Sequence, residues 1–471
     1  MLFDATGVLN RRRFLGAAGA AAVLRAEAVG AVPSARQLRW HEMETYAFLH
    51  FTVNTFTDKE WGYGDESPEL FHPTAFDAAA LMDGLKSGGM KGVILTCKHH
   101  DGFCLWPTKT TEHSVRRTEW RDGRGDVVRE ISTAAAKAGL KFGVYVSPWD
   151  RNHAAYGKPE YVDVYRAQLR ELLTGYGPIF EVWHDGANGG DGFYGGAREK
   201  RRIDKRSYYD WPGTWDMVRK LQPDAVIFSD IGPDIRWVGN EKGFAGETCW
   251  TTITPEAEKG GPAAVGDVNT KINNTGTRGG MQWMPAECDV SIRPGWFFHE
   301  KENSRVKTPE TLFDIYMKSV GRGGSFLLNV PPDRRGLLHE ADVASLRGFG
   351  AMLRSTFATD LAKGSGPKAL TDGRRDTHWS GTSAEFRLRA LAVFDLIRVR
   401  EHLPSGQRID GVAVDIRDGS DWKQIATATS IGNCRLLRLT QPVTTREIRL
   451  RVTGSSAPPV LTEFGLYRIS S

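Results

Sequence analysis

The sequence predicts an α/β fold: a (β/α)8-like, TIM-type barrel with an irregular second half, followed by a C-terminal β-sandwich. Two observations predict the barrel. Eight short apolar runs lie between residues 45 and 332, and most are separated by stretches with apolar residues at three- and four-residue spacing. A third observation predicts the sandwich, because helical spacing disappears near residue 360 and short alternating runs follow.

The predicted barrel occupies residues 33–362. Its strands are expected at residues 46–53, 92–98, 141–147, 180–185, 225–230, 246–250, 284–291 and 324–330. Helices are expected at residues 76–87, 127–138, 161–174, 215–221 and 346–353. A Gly-rich segment at residues 259–280 interrupts the repeat, so the part from the fifth to the seventh strand should be irregular.

The predicted sandwich occupies residues 367–471, after a linker at residues 363–367 that is rich in Gly. Strand-like runs fall at residues 386–388, 393–399, 411–416, 434–439 and 447–452. We expect this domain either to cap and stabilise the barrel or to bind carbohydrate.

Composition excludes disordered, collagen-like and disulfide-scaffold chains, since 40% of the 471 residues are hydrophobic and 25% are charged. The formal net charge of +5 is too small to indicate a nucleic-acid partner. The 14 Trp are unusual, because a surplus of Trp often provides flat apolar walls in a binding cleft. The five Cys form no metal-ligand spacing, so no metal is predicted, and a disulfide between Cys249 and Cys288 stays open.

The first residues have the features of an export signal. Three Arg at residues 11–13 precede Phe14, an apolar run to Leu24 and a small-residue segment at residues 26–28. Paired Arg before Phe-Leu is typical of a twin-arginine signal, although an Arg-rich signal of the general secretory type is the alternative. The apolar run is much shorter than the roughly 20 residues that span a bilayer. We predict a signal peptide over residues 1–32, no membrane anchor, and a periplasmic or secreted protein.

Polar and aromatic residues gather at the predicted carboxyl ends of the barrel strands, where barrel enzymes place their chemistry. The positions are His50, Lys-His-His-Asp at residues 98–101, Pro-Trp-Asp-Arg at residues 148–151, Trp-His-Asp-Gly at residues 183–186, and Asp230. The three imidazoles of His50, His99 and His100 suggest either hydroxyl recognition or metal ligation. Metal is the weaker interpretation, because no third ligand stands at helical spacing nearby.

Asp185 ends the fourth predicted strand, where strand alternation places it on one face with Glu181 and Trp183. A carboxylate among indoles fits a nucleophile that attacks a sugar carbon, and Gly186 would let a ligand approach the backbone. The alternative is an Asp that caps the next helix. A glycosidase also needs a carboxyl group that protonates the leaving oxygen. Spacing does not choose among the downstream candidates, which are Glu241, Glu247 and Glu287.

Taken together, these motifs resemble those of the α-L-fucosidases of glycoside hydrolase family 29, over about residues 40 to 360. The segments that carry the resemblance are HFTVNTF (50–56), EWG (60–62), KHHDGFCLWP (98–107), GLKFGVY (139–145), WHDGANG (183–189) and RPGWF (293–297). Segments at residues 54–56, 147–152 and 239–241 look more like the branch that prefers α-1,3/1,4-linked fucose on Lewis-type glycans. The sandwich resembles a galactose-binding or discoidin-like module.

The resemblance implies a retaining exo-α-L-fucosidase that needs no cofactor and acts on fucosylated oligosaccharides or glycoconjugates. It implies Asp185 as the nucleophile and Glu241 as the acid/base. The residues that would hold fucose are His50, Glu60, Trp61, His99, His100, Trp183, Arg236, Trp237 and Trp296. One departure is His184, where the family commonly has Phe, and an imidazole beside the nucleophile is expected to perturb its pKa.

Two alternatives belong to other classes of protein. The first is an exported carbohydrate-binding protein that has lost catalysis, and the presence of both Asp185 and Glu241 argues against it. The second is a metal-dependent hydrolase that uses the three histidines. Loss of activity with excess chelator, restored by zinc, would favour this second alternative.

Overall fold

The computed structural model describes residues 27–469, so most of the predicted signal sequence lies outside the described residues. Eight parallel strands close into a barrel in chain order, with the eighth beside the first, which confirms the predicted barrel. The strands are β1 (Thr45–Leu49), β2 (Gly92–Lys98), β3 (Lys141–Val146), β4 (Glu181–Trp183), β5 (Val226–Ser229), β6 (Ile235–Trp237), β7 (Ala286–Ser291) and β8 (Ser325–Asn329).

The helices of the barrel region lie mostly between consecutive strands. They are α1 (Ala35–Met43), α2 (Val53–Thr57), α3 (Ala78–Ser87), α4 (Val127–Ala138), α5 (Glu160–Gly175), α6 (Trp211–Leu221), α7 (Thr270–Thr275), α8 (Pro309–Lys318) and α9 (Glu340–Phe357). Local sequence sets their ends. At α4, for example, the Asp126 carboxylate accepts the Arg129 N–H, and Gly139 stops the helix with a φ of 75°.

The sixth strand corrects the prediction. It is Ile235–Trp237, which follows β5 after a short loop without a helix, and not the apolar run at residues 246–250. In that run, Cys249 and Trp250 are buried, whereas Glu247 is exposed, and the Cys249 N–H donates to Ser430 Oγ of the second domain at 2.9 Å. The irregularity predicted here is confirmed, because α7 is the one helix described between β6 and β7.

A six-stranded antiparallel sheet forms the C-terminal domain, in the order β9-β14-β10-β13-β11-β12. Its strands are β9 (Trp379–Ser380), β10 (Ser383–Glu401), β11 (Ile409–Asp418), β12 (Asp421–Ala428), β13 (Arg435–Ser455) and β14 (Val460–Tyr467). The register between β10 and β13 shifts twice, which bends these long strands over a separate apolar core. This arrangement is consistent with the predicted β-sandwich.

Two further observations concern all of the described residues. The five cysteines are buried and none is disulfide-bonded, so the bridge between Cys249 and Cys288 that the sequence left open is absent. Within residues 27–469, no helix has the length and apolar character to cross a membrane.

Candidate active site

A cavity of about 400 Å³ opens at the carboxyl end of the barrel strands. All but one of the predicted site residues line it: His50, Glu60, Trp61, His99, His100, Trp183, Asp185, Trp237, Glu241 and Trp296. They lie at the ends of five strands or in the loops that follow them, so strand order in the barrel brings together residues that are far apart in the chain.

The Asp185 carboxylate is held by two donors. The Tyr145 hydroxyl donates to Oδ2 at 2.9 Å and the Ala187 N–H donates to Oδ1 at 2.7 Å. No helix begins at this point, because the next element is a hairpin made of Gly190–Tyr194 and Ala197–Arg201, so Asp185 is not a helix cap. Its side chain keeps 21% of its surface exposed toward the cavity, where a substrate atom can reach it.

Gly186 lines the cavity and packs against a neighbouring carboxylate. A Cβ at this position would lie 2.1 Å from Asp230 Oδ2. Asp230 lines the cavity, and its Oδ2 accepts the Gly266 N–H at 2.6 Å. Burial raises the pKa of Asp230 to about 7. The Asp230 side chain therefore packs against Gly186, in the loop after β4, and binds Gly266 of the irregular segment.

Glu241 lies at the rim of the same cavity. The Trp296 indole N–H donates to its Oε2 at 3.3 Å. Partial burial raises the pKa of Glu241, and the negative charge of Asp185 contributes in the same direction. A carboxyl group with a raised pKa can hold a proton and give it to a leaving oxygen.

The other two carboxyl candidates lie elsewhere. Glu247 forms ion pairs with Arg322, at 2.6 Å, and with Arg435 of the second domain. Glu287 is buried inside the barrel, where it accepts hydrogen bonds from the Tyr46 hydroxyl and, at 2.7 Å, from the Trp183 indole N–H. It is paired with Glu181, and burial raises the pKa of both carboxyl groups. Neither Glu247 nor Glu287 lines the cavity.

The three histidines of the site are buried and neutral. Burial lowers the pKa of each, for His50 to about 3. His50 Nδ1 lies 2.8 Å from Asn329 Oδ1. His100 Nδ1 donates to Ser147 Oγ at 2.7 Å, because the Ser147 hydroxyl itself donates to the Trp149 carbonyl, and His100 Nε2 lies 3.9 Å from Asp185 Oδ2. A neutral imidazole offers one donor and one acceptor, which suits sugar hydroxyls.

A metal centre needs ligands that converge on one point. Among residues 27–469, no group of three His, Cys, Asp or Glu side chains is arranged to hold a metal ion. The histidines instead contact aromatic rings and polar groups of the chain.

Indole rings form much of the cavity wall. Trp183 stacks on Phe228 with ring centroids 4.1 Å apart, and Trp296 lies 5.1 Å from the His50 ring. Trp61 is 54% exposed and contacts His100 edge to face. These flat, largely fixed surfaces are suited to the apolar face of a sugar.

Arg236 is the predicted site residue that the structure does not place in the cavity. Its guanidinium is completely buried on the outer side of β6, where it donates to the carbonyl oxygens of Asn273 and Trp250, both at 2.9 Å. Strand alternation explains the difference, because its neighbour Trp237 faces the cavity. Arg236 thus holds the irregular segment between β6 and β7 against the barrel.

His184 also points away from the cavity. Its Nδ1 lies 2.7 Å from the Tyr165 hydroxyl, and burial lowers its pKa to about 3. The ring stays neutral and is hydrogen-bonded to Tyr165.

Sequence reasoning did not name several residues of the cavity. Asp289 accepts the Trp237 indole N–H at 2.9 Å, and burial raises its pKa strongly. Alternation along β7 from Glu287 would have placed Asp289 on the inner face. Tyr145 ends the motif at residues 139–145, and only the structure shows it as the donor to Asp185. The irregular segment also lines the cavity, and no apolar periodicity in its sequence predicts this. Its lining residues are Glu258, Gly266, Asp267, Val268 and Thr270.

Comparisons with known proteins agree with this geometry. The family model described as Alpha-L-fucosidase matches residues 28–356. Alpha-L-fucosidase 1 of Arabidopsis thaliana is 41% identical over 461 residues, which cover 93% of this chain and 87% of that protein.

Solved structures are similar over nearly the whole chain. A glycoside hydrolase 29 family member from an unknown rumen bacterium is 41% identical with a TM-score of 0.86, covering 94% of this chain and 78% of that chain. A glycoside hydrolase 29 fucosidase of Ruminococcus gnavus, solved in complex with fucose, is 31% identical with a TM-score of 0.81, covering 95% and 96%.

Proposed function

Because this chain belongs to the α-L-fucosidase family of glycoside hydrolases, we propose that it is a retaining exo-α-L-fucosidase that removes terminal fucose by double displacement. The observation that carries this proposal is the meeting of two unlike carboxyl groups in one cavity. Asp185 is held by Tyr145 and Ala187, and Glu241 has a raised pKa. This division of roles is the one that a retaining glycosidase needs.

In the first step, an Asp185 oxygen forms a bond to the anomeric carbon while the glycosidic bond breaks and Glu241 gives its proton to the leaving oxygen. In the second step, Glu241 takes a proton from water, and the water oxygen displaces Asp185 and releases fucose. The neutral His50, His99 and His100 bind hydroxyl groups, and Trp183 and Trp296 provide apolar surface for the C5 methyl group.

We further propose a preference for α-1,3/1,4-linked fucose on Lewis-type glycans. The motifs of that branch support it. The cavity lining also includes Glu258, Asp267 and Thr270, polar residues that can contact the sugars of a leaving group.

A comparison of three substrates tests this preference. A Lewis-type trisaccharide is expected to release fucose about 100-fold faster, in kcat/KM, than a 2-linked fucoside, because its second sugar reaches these polar groups. A simple aryl fucoside, measured in parallel, is expected to be a poorer substrate than the trisaccharide. Equal or faster cleavage of the 2-linked substrate would contradict the proposed linkage preference.

We also propose export by the twin-arginine route, on the evidence of residues 1–32 alone. Replacement of Arg11, Arg12 and Arg13 by Lys is expected to retain the precursor in the cytoplasm, because the paired guanidinium groups are the recognised feature. Cell fractionation with immunoblotting measures it. Unchanged export of the Lys variant would favour the general secretory route.

A further inference from the structure

His299 lies between two carboxylates at the edge of the cavity, behind residues that line it. Its Nδ1 is 2.6 Å from Asp58 Oδ1, and its Nε2 is 2.6 Å from Glu60 Oε1. Its side chain is 6% exposed. Glu60 lines the cavity, whereas Asp58 and His299 do not.

The two short contacts determine the charge of the ring. Each ionised carboxylate oxygen can only accept a hydrogen bond, so both ring nitrogens must carry a proton and donate it, and this requires the imidazolium form. Burial alone would lower the pKa of His299, but the hydrogen bonds and charges of Asp58 and Glu60 raise it above its usual value. In turn, the hydrogen bond from His299 lowers the pKa of Asp58.

Glu60 connects this cation to the backbone of the loop that carries both Trp296 and His299. Its two oxygens accept the Trp296 N–H at 2.8 Å and the Phe297 N–H at 3.1 Å. A Cβ at residue 295 would lie 2.5 Å from Glu60 Oε1, so the backbone here packs directly on the carboxylate. Trp296 then donates its indole N–H to Glu241. The contacts run from His299 through Glu60 and Trp296 to the proposed acid/base.

We propose that His299, as an imidazolium, is a positioning residue that fixes Glu60 and, through the backbone of Trp296, the indole that contacts Glu241. This inference rests on the proposed function of Glu241. Loss of the His299 proton would place a lone pair against one of the two carboxylates and break one of the two contacts. Activity should therefore fall on the alkaline side of the pH profile.

Other charged groups face this cluster from several segments. Lys301 and Arg334 lie near Asp58 and stabilise its negative charge. Glu302 accepts the Gly295 N–H at 3.1 Å, and Glu241 faces Glu60 across the cavity. None of these cations contacts the imidazole ring, so Asp58 and Glu60 dominate its protonation.

The test changes Asp58 to Asn, which removes one negative charge and keeps an oxygen that can accept the Nδ1 proton. Asp58 has a φ of 59°, a conformation that Asn also adopts readily, so the loop should be retained. Without the charge, His299 loses its proton at lower pH, and the alkaline limb of kcat/KM is expected to move down by about one pH unit. Between the old and new limbs, activity would be about tenfold lower.

The substrate for this test is an aryl fucoside with a good leaving group. Its cleavage does not require the Glu241 proton, so its alkaline limb reports how His299 holds Glu60 and Trp296 in the cavity wall and not the titration of Glu241. Glu69→Gln, an exposed carboxylate of the same segment, is the matched control and should leave the profile unchanged. His299→Gln should lower kcat/KM by about 10- to 100-fold. It should also remove the alkaline limb of the pH profile, which Asp58→Asn only shifts. An Asp58→Asn enzyme with the wild-type limb would overturn the proposal.

A second measurement separates this proposal from the proposed function. NMR of protein labelled with ¹⁵N-histidine, with the His299 signals identified from His299→Gln, reports the protons on the ring directly. Two protonated nitrogens at pH 7 are expected, whether or not the protein releases fucose. A singly protonated ring would overturn the role of His299, and an active enzyme with that ring would leave the fucosidase proposal intact.

Discussion

Asp185→Ala is expected to lower the kcat for fucose release by at least about 10⁴-fold, because no other described carboxylate is held in the same way at the base of the cavity. The change also leaves the Tyr145 hydroxyl and the Ala187 N–H without their acceptor. Fucose release from a Lewis-type trisaccharide measures the loss, with circular dichroism to confirm that the variant is folded.

Azide distinguishes a lost nucleophile from a disturbed site. In Asp185→Ala, azide can enter the space that the carboxylate leaves and attack the anomeric carbon, so β-fucosyl azide should accumulate with an activated aryl fucoside. Asp230→Asn is the matched control in the same cavity, since Asn retains an acceptor for the Gly266 N–H, and it should keep most of the activity. Fucose release by Asp185→Ala within about a hundredfold of wild type would contradict the assignment.

Glu241→Ala is expected to lower kcat on a Lewis-type trisaccharide by about 10²- to 10⁴-fold, the usual contribution of a positioned proton donor. The loss should be far smaller on an aryl fucoside with a good leaving group, which departs without a proton. Azide should then accelerate turnover and yield α-fucosyl azide, because Asp185 is still present to form the intermediate.

Glu247→Gln is the matched control for Glu241. Glu247 joins Arg322 and Arg435 across the two domains, so its replacement should lower the melting temperature and leave kcat/KM close to wild type. If Glu241→Ala instead cleaves the trisaccharide at the wild-type rate, the acid/base is another residue, and Glu247 and Glu287 are the next to test.

The barrel could be predicted because seven of its strands are short apolar runs bounded by turn residues. The sixth could not. The run at residues 246–250 ends in two buried residues, Cys249 and Trp250, and Cys249 is hydrogen-bonded to the second domain. The true strand, Ile235–Trp237, has only three residues and carries the charged Arg236. Periodicity reports that a residue is buried and does not report which surface buries it.

The candidate site likewise divides into residues that the sequence could place and residues that it could not. The strand ends predicted that Asp185 and the three histidines lie close together, and all four line the cavity, since the carboxyl end of a parallel barrel is one surface. Arg236 and Trp237 are adjacent, and the resemblance gave both of them to the substrate, whereas alternation allows only one to face inward. The irregular segment around residue 266 reaches the site through the hydrogen bond from the Gly266 N–H to Asp230. The two residues are 36 positions apart, so no local sequence pattern indicates this contact.

Sequence by itself determined the fold class, the family resemblance and most of the chemical groups of the site, because these follow from local spacing and motif order. Only the tertiary structure decided the protonation and the orientation of these groups. It made the histidines neutral by burying them, raised the pKa of Glu241 at the cavity rim, and turned His184 away from the nucleophile. It also placed His299 against Asp58 and Glu60, from a position about 240 residues distant. Desolvation and charge pairing depend on distances in space, which the order of residues does not contain.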